Sequence, residues 1–145
     1  MPFQPSTVVS RTPANQTATD TTTYENNGFG AIAYPNACAI TPTTTGRVLV
    51  LWSGDKVSNA TAQLHTMQML YGTGTAPANN TAVTGTVFGG EVAWTSLTGQ
   101  LTVPFALVGL ITGLTLGTSY YFDIACKSGA GTVALTNMSF VAIEI

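Results

Sequence analysis

The amino-acid sequence predicts an all-β domain, built as a two-sheet antiparallel sandwich and preceded by an extended N-terminal arm. Thr, Val, Ile, Tyr and Phe dominate the chain, and these residue types suit the pleated surface of a strand. Helix signals are nearly absent, and 15 glycines and 7 prolines divide the chain into short runs. Several runs alternate between apolar and polar residues, which indicates strands with one buried face.

Residues 1–24 are predicted to form the arm, and residues 25–145 the sandwich domain. The arm carries three prolines and few large apolar side chains beyond Phe3, Val8 and Val9. Such a segment buries too little apolar area to offset the entropy lost when it orders. We therefore expect it to be held by a neighbouring subunit, by a partner, or by the flank of its own domain.

The domain contains several strand-like runs separated by turn residues. The hydrophobic patterns are clear in five of them and weaker in three. The segment 127–132, which is rich in glycine, reads as the hairpin loop between the last two long runs. In chain order, the predicted strands are 30–34 (weak), 47–53, 63–71, 83–88 (weak), 91–97 (weak), 103–110, 119–127, and 132–135 leading into 139–145.

Charge is scarce, since only 7% of the residues are charged while 45% are hydrophobic. Soluble domains usually carry about 25% charged residues. We therefore expect the surface to lie against other protein. The four basic residues are scattered and form no stripe, so nucleic-acid binding is not expected.

Neither a membrane span nor a secretory leader is predicted. The longest uncharged stretch, 101–116, contains Pro104 and interspersed Thr, and a membrane helix needs about 20 mostly apolar residues. The N-terminus lacks a basic segment followed by an apolar one, so we expect synthesis in the cytoplasm. Cys38 and Cys126 have apolar neighbours and are interpreted as buried free thiols, with a disulfide left open.

The residues needed for catalysis are few. The single histidine, His65, has no cluster of Cys, Asp or Glu near it in sequence, whereas zinc needs three or four ligands. A Ser-His-Asp arrangement would have to use His65, and no nucleophile elbow is present. Among the carboxylates only Glu91 lies near an aromatic residue, Trp94, and a solvated carboxylate is the expected role. The sequence thus predicts a protein that is not an enzyme, with no catalytic residue, metal or cofactor.

Two tryptophans leave a binding function open. Trp52 and Trp94, with the five tyrosines, could stack on sugar rings, so a glycan- or receptor-binding module is the alternative hypothesis. The competing interpretation is that Trp52, at the end of an apolar run, belongs to the core or to an interface.

Two pieces of the chain resemble a known family. They are LYGTGTAPAN (70–79, continuing to 86) and ITGLTLGTSYYFD (111–123, continuing to TNMSFVAIEI at 136–145). The pattern, which spans about residues 45–145, resembles small β-sandwich structural proteins of tailed bacteriophages that decorate or cement capsids or form head fibres. The resemblance implies a jelly-roll-like fold and a virion location, and it identifies no catalytic residue. Residues 113–120 are also similar to the turn before the tyrosine-corner strand of fibronectin type III domains, although Leu116 replaces the usual proline.

From these features we expect a capsid decoration or cement protein, with a fibre or adhesin module on the same fold as the alternative. Its partners would be the major capsid protein and further copies of itself, as a homodimer or homotrimer. It would be made in the host cytoplasm and reside on the capsid surface. The predicted contact residues lie on the arm and the last strand: Phe3, Val8, Val9, Phe140, Ile143 and Ile145.

Overall fold

The computed structural model describes residues 7–11, 16–18, 24–26, 38–58, 62–97 and 101–145. It confirms the all-β prediction, because two antiparallel sheets pack as a sandwich and these residues contain no helix. Within the described segments no helix has the length and apolar character needed to cross a membrane. The strands are β1 (Val8–Arg11), β2 (Gln16–Ala18), β3 (Glu25–Asn26), β4 (Ala39–Ile40), β5 (Val48–Ser58), β6 (Leu64–Thr73), β7 (Thr81–Ala82), β8 (Thr86–Thr95), β9 (Leu101–Ile111), β10 (Tyr120–Ser128) and β11 (Val133–Glu144).

The strand order is that of a jelly-roll-like sandwich. The first sheet runs β1-β11-β5-β9, with β2 also paired to β11. The second sheet runs β7-β3-β10-β6-β8, with β4 also paired to β10. Because β9, β10 and β11 alternate between the sheets, the chain closes around one shared core.

Alternating side chains from both sheets build this core. Val48, Val50 and Trp52 of β5 point inward and are at most 1% exposed. The Trp52 ring meets Phe140 of β11 edge-on, with centroids 4.8 Å apart, and Phe140 lies 5.6 Å from Phe122 of the second sheet. Trp52 is therefore a core residue, as one of its two interpretations proposed.

Two pairs of predicted runs are single strands in the structure. The runs 83–88 and 91–97 merge into β8, which bends at Gly89 opposite a register shift between Met67 and Met69. Gly89 has φ 69°, and a Cβ there would lie 2.8 Å from Cε of Met69. Likewise 132–135 and 139–145 join in β11, where a bulge between Thr136 and Ser139 keeps the pairing with β5. The breaks between the predicted runs are thus irregularities inside paired strands. The weak run 30–34 lies outside the described residues.

The described parts of the N-terminal segment lie on the domain's own flank. β1 pairs with β11 from Val8↔Ile143 to Arg11↔Phe140, and β2 pairs with β11 further along. The Tyr24 hydroxyl donates to the Glu91 carboxylate on β8, and burial together with Glu91 raises the pKa of Tyr24 to about 12. β1 and β2 thus belong to the first sheet, and β3 belongs to the second. The domain boundary after residue 24 remains a prediction, and Phe3 lies outside the described residues.

The turn before β10 has the contact that its tyrosine-corner resemblance implied. The N–H of Thr115 donates to the Tyr120 hydroxyl oxygen at 3.0 Å, five residues upstream of the ring. The same turn is tied down by the N–H of Gly117, which donates to the carbonyl of Pro42 at 2.8 Å. The Tyr120 side chain therefore closes a corner of the sandwich.

The two cysteines are buried and are not joined in a disulfide. Cys38 lies opposite Phe122, whose N–H donates to the Cys38 carbonyl at 2.8 Å. Cys126 is four residues further along β10, which corresponds to about 13 Å at 3.3 Å per residue. A disulfide needs Cα atoms within about 7 Å, so the alternative of a Cys38–Cys126 disulfide is excluded in this fold.

Both thiols are accordingly expected to react only when the domain unfolds. A thiol reagent added to the native protein should label less than about a tenth of the cysteines, and addition of denaturant should release both, because each side chain is 0% exposed. Melting temperatures with and without reductant should agree. A reductant-dependent melting temperature would contradict the assignment of two thiols without a disulfide.

Candidate interaction face

The outward surface of the first sheet presents two rows of aliphatic side chains. Alternation along β5 turns Leu49 and Leu51 outward, opposite to the buried Val48, Val50 and Trp52. Register then places outward residues of neighbouring strands beside them. One row is Val8, Ile143, Leu49 and Leu110, and the next is Ser10, Val141, Leu51 and Val108. We call the seven aliphatic residues of these rows the aliphatic face.

The aliphatic face is open to solvent and almost free of charge. Val8, Val108 and Leu110 are 58%, 57% and 47% exposed, and Leu51 is 39% exposed. Among the described side chains of this surface only Arg47, before β5, and Asp55, late in β5, are charged. A contiguous exposed apolar patch of several hundred Å² is typical of a protein-interaction site.

The predicted contact residues divide between this face and the core. Val8 and Ile143 belong to the aliphatic face, and Ile145, which is 45% exposed, lies next to it. Val9 packs against the core, and Phe140 is 0% exposed between Trp52 and Phe122. Phe140 therefore does not reach the surface. Side chains alternate along β11, so Phe140 points inward as Ala142 does, whereas Val141 points outward. The sequence reasoning missed Leu49, Leu51, Val108, Leu110 and Val141, although the alternation in 47–53 already separated Leu49 and Leu51 from the buried residues.

The buried carboxylate of Glu144 determines which side chains of β11 point inward, behind the aliphatic face. Glu144 is only 1% exposed, and its carboxylate accepts hydrogen bonds from consecutive backbone N–H groups of the β4–β5 loop. The N–H groups of Thr43, Thr44, Thr45 and Gly46 lie 2.8, 2.7, 2.6 and 3.1 Å from its oxygens. Since Glu144 points inward, its neighbours Ile143 and Ile145 point outward.

The cage fixes the ionisation of Glu144. Burial by itself raises the pKa of this carboxyl group, but the surrounding N–H donors outweigh burial and hold the pKa well below its ordinary value of 4.5. The loop can curl this tightly because Gly46 has φ 65°, and a Cβ there would lie 2.3 Å from the carbonyl oxygen of Leu114. Glu144 is thus an ionised structural group that fastens the loop to the end of the last strand.

A second polar cluster is buried at the opposite end of β5. Lys56, Ser58 and His65 are at most 3% exposed, and the Ser58 hydroxyl lies 2.8 Å from Nε2 of His65. The Lys56 ammonium lies 3.5 Å from the centroid of the Trp94 ring, which also stacks with His65 at 5.2 Å. Burial lowers the pKa of Lys56 to about 8, and burial together with Lys56 lowers the pKa of His65. We call Lys56, Ser58, His65, Trp94 and Ser96 the buried cluster.

The buried cluster brings together part of a nucleophilic site. Ser58 and His65 are within hydrogen-bond distance, as a Ser-His pair requires, and Ser96 lies 3.4 Å from the same nitrogen. Among the described residues, however, Nδ1 of His65 has no hydrogen-bond partner, so no carboxylate orients the ring. Ser58 is 1% exposed and offers a substrate no access. Nor does the described part of the chain group three metal-ligating side chains.

The two tryptophans differ in their access to solvent. Trp52 is 1% exposed, so its ring is not available for stacking on a sugar. Trp94 is half-buried, with the Lys56 ammonium over its ring and His65 stacked against it.

No protein-family model matches the sequence, and no curated protein matches it. Among solved structures, the chain is similar to the Eiger TNF structure from S. frugiperda, at 10% identity and a TM-score of 0.48, covering 98% of this chain and 94% of that one. It is also similar to a structure of infectious bursal disease virus strain Gt (12% identity, TM-score 0.45), covering 96% of this chain but 37% of that one. A third is the C-terminal domain of EclA, a sugar-binding protein (9% identity, TM-score 0.36), covering 97% and 81%. These likenesses concern β-sandwich architecture alone.

Proposed function

We propose that this chain is a structural virion protein that decorates or cements the capsid of a tailed bacteriophage. It binds across subunits of the major capsid protein and associates with copies of itself. The observation that carries the proposal is the aliphatic face, an apolar surface around which Arg47 and Asp55 are the only charged groups among the described side chains. Such a surface is suited to permanent contact with protein.

The scarcity of charge supports the same function. Of the few charged residues, Lys56, Asp123 and Glu144 are at most 3% exposed, so the exterior carries even less charge than the composition suggests. Burying apolar surface contributes about 25 cal/mol per Å², and the seven aliphatic side chains of the face carry no charge that has to be desolvated in the process. The action is mechanical, because contacts spread over a shell oppose the separation of its subunits.

The test is binding of the purified protein to capsid shells assembled from the major capsid protein of the same virus. We expect saturable co-sedimentation at a fixed ratio to the capsid subunits, and shells with bound protein should withstand more heat or denaturant than bare shells. A β-sandwich domain of similar size from an unrelated source serves as the control. Absence of binding to expanded and unexpanded shells overturns the proposal, and saturable glycan binding in its place would favour the fibre or adhesin alternative.

A further inference from the structure

We infer that the aliphatic face is covered by the same face of a second copy of this chain, related to the first by a two-fold axis that passes close to Leu51. The inference rests on the proposed function only in treating the face as a protein contact. It adds the occupant, the symmetry and the register of that contact.

The outer surface of the first sheet, which consists of the aliphatic face and the rows on either side of it, has the area that a pair of copies needs. Four strand positions about 4.8 Å apart and ten residues along β5 and β9, rising about 3.3 Å each, give roughly 19 by 33 Å, or about 600 Å² per copy. Two such surfaces bury about 1,200 Å², the lower limit for a specific and stable interface. Flat sheets pack face to face about 10 Å apart, and aliphatic side chains from both sides fill that space.

The two charges at the border of the face select the direction of packing. Arg47 precedes β5 and Asp55 lies eight residues further along the same strand, about 26 Å away. If the two copies of β5 ran parallel, Arg47 would face Arg47 of the second copy, and Asp55 would face Asp55. If they run antiparallel, Arg47 of each copy faces Asp55 of the other, and Leu51, midway between them, lies on the axis.

The same axis pairs large side chains with small ones. Each strand then faces its own copy, and the row of Val141, Leu51 and Val108 packs on itself. The row of Ile143, Leu49 and Leu110 instead meets the next row beyond the axis. That row consists of the small residues Ser139, Ser53 and Ala106. Such alternation lets two sheets interdigitate without voids.

The first test is the mass of the full-length protein by sedimentation equilibrium. We expect twice the chain mass of 15.0 kDa for the wild type. Leu51→Asp should give the single-chain mass with an unchanged circular dichroism spectrum, because it places a charge at the centre of a dry interface. The matched control is Val87→Asp on the second sheet, where the side chain is 51% exposed, and it should remain paired. A single-chain mass for the wild type, a trimer, or a Leu51→Asp variant that stays paired would overturn the inference.

The second test is charge exchange at the border. Arg47→Asp and Asp55→Arg should each weaken pairing by about tenfold, since each creates like-charge contacts in both symmetry-related positions. The double variant restores opposite charges and should pair within about threefold of the wild type. If the double variant instead pairs more weakly than either single variant, the antiparallel register is excluded.

The experiments distinguish a failure of the proposed function from a failure of the proposed interface. A protein that pairs through Leu51 but binds no shell removes the proposed function and leaves the interface standing. A protein that binds shells while remaining a single chain in solution and on the shell removes the interface alone.

Discussion

Replacing Glu144 by Gln is expected to lower the free energy of unfolding by about 3 kcal/mol at pH 7. The carboxylate accepts hydrogen bonds from four consecutive N–H groups, at 2.6–3.1 Å, at a site that is 1% exposed. An amide offers a single acceptor oxygen and brings two N–H donors into a cage made of donors, which leaves several buried groups unpaired. Unfolding in urea measures the loss.

The effect of this substitution should depend on pH with a definite sign. The cage holds the pKa of Glu144 below the ordinary value of 4.5 that applies in the unfolded chain. The carboxylate therefore contributes its full stabilisation above about pH 5. The contribution is lost as the pH falls below 4.5, because Glu144 then binds a proton in the unfolded chain but remains ionised in the folded one. The Gln variant lacks this dependence, so the two stability curves should converge between pH 5 and pH 2.

Glu91→Gln is the matched control, because this carboxylate is exposed and accepts one hydrogen bond, from Tyr24. Its stability change should stay below about 1 kcal/mol at all pH values tested. A Glu144→Gln curve that runs parallel to the wild type down to pH 2 would show that the cage does not hold an ionised carboxylate.

The same carboxylate marks a limit of what the sequence could predict. Alternation places Phe140, Ala142 and Glu144 on one face of the last strand and the more aliphatic Val141, Ile143 and Ile145 on the other. Hydrophobicity alone would bury the second set. The structure buries the first set, because the donors that satisfy Glu144 come from a loop about 100 residues earlier in the chain. No local pattern records that contact.

Local patterns were sufficient for the class of fold and for most of the long strands. The alternation in 47–53 and 63–71 predicted β5 and β6, and the pattern in 119–127 predicted β10. Pairing register was not predictable, since it depends on which residues of distant strands lie opposite one another. The aliphatic face exists only because register aligns Val8, Ile143, Leu49 and Leu110 across four strands. The outward residues of each strand could be predicted from the sequence, but their alignment side by side across the sheet could not.

The buried cluster escaped prediction for a related reason. The predicted run 47–53 stopped before Gly54, and Lys56 was noted only as one of four scattered basic residues. In the structure β5 continues through Gly54 to Ser58, which turns Lys56 and Ser58 toward the core. There is room for this because Gly54 carries no Cβ, which would lie 2.5 Å from Sδ of Met138.

Replacing Lys56 by Met is expected to raise the free energy of unfolding by about 2 kcal/mol at pH 7. Burial lowers the pKa of Lys56 from 10.5 to about 8, so holding the ammonium charged inside the sandwich costs about 3 kcal/mol. Its contact with the Trp94 ring, 3.5 Å away, offsets about 1 kcal/mol. Methionine has a similar length, keeps the packing on Trp94 and carries no charge to desolvate.

This gain should also change with pH, and His65 supplies an independent readout. Between pH 8 and 10.5 the unfolded chain binds a proton at Lys56 that the folded chain has released, so wild-type stability rises across that window and the advantage of Lys56→Met disappears. Lys56 also contributes to the lowered pKa of His65. Its removal should therefore raise the pKa of this single histidine, whose ring protons are resolved by NMR without interference from any other histidine.

Lys127→Met is the control that separates burial from loss of a cation–π contact. The Lys127 ammonium lies 4.7 Å from the Tyr24 ring, but its side chain is only half-buried, so the substitution removes a similar contact without relieving a desolvated charge. It should leave stability unchanged or lower it by less than about 1 kcal/mol. A Lys56→Met variant that is less stable than the wild type at pH 7, with the His65 pKa unmoved, would mean that the ammonium is solvated and that the cluster is not the dry polar site that its geometry indicates.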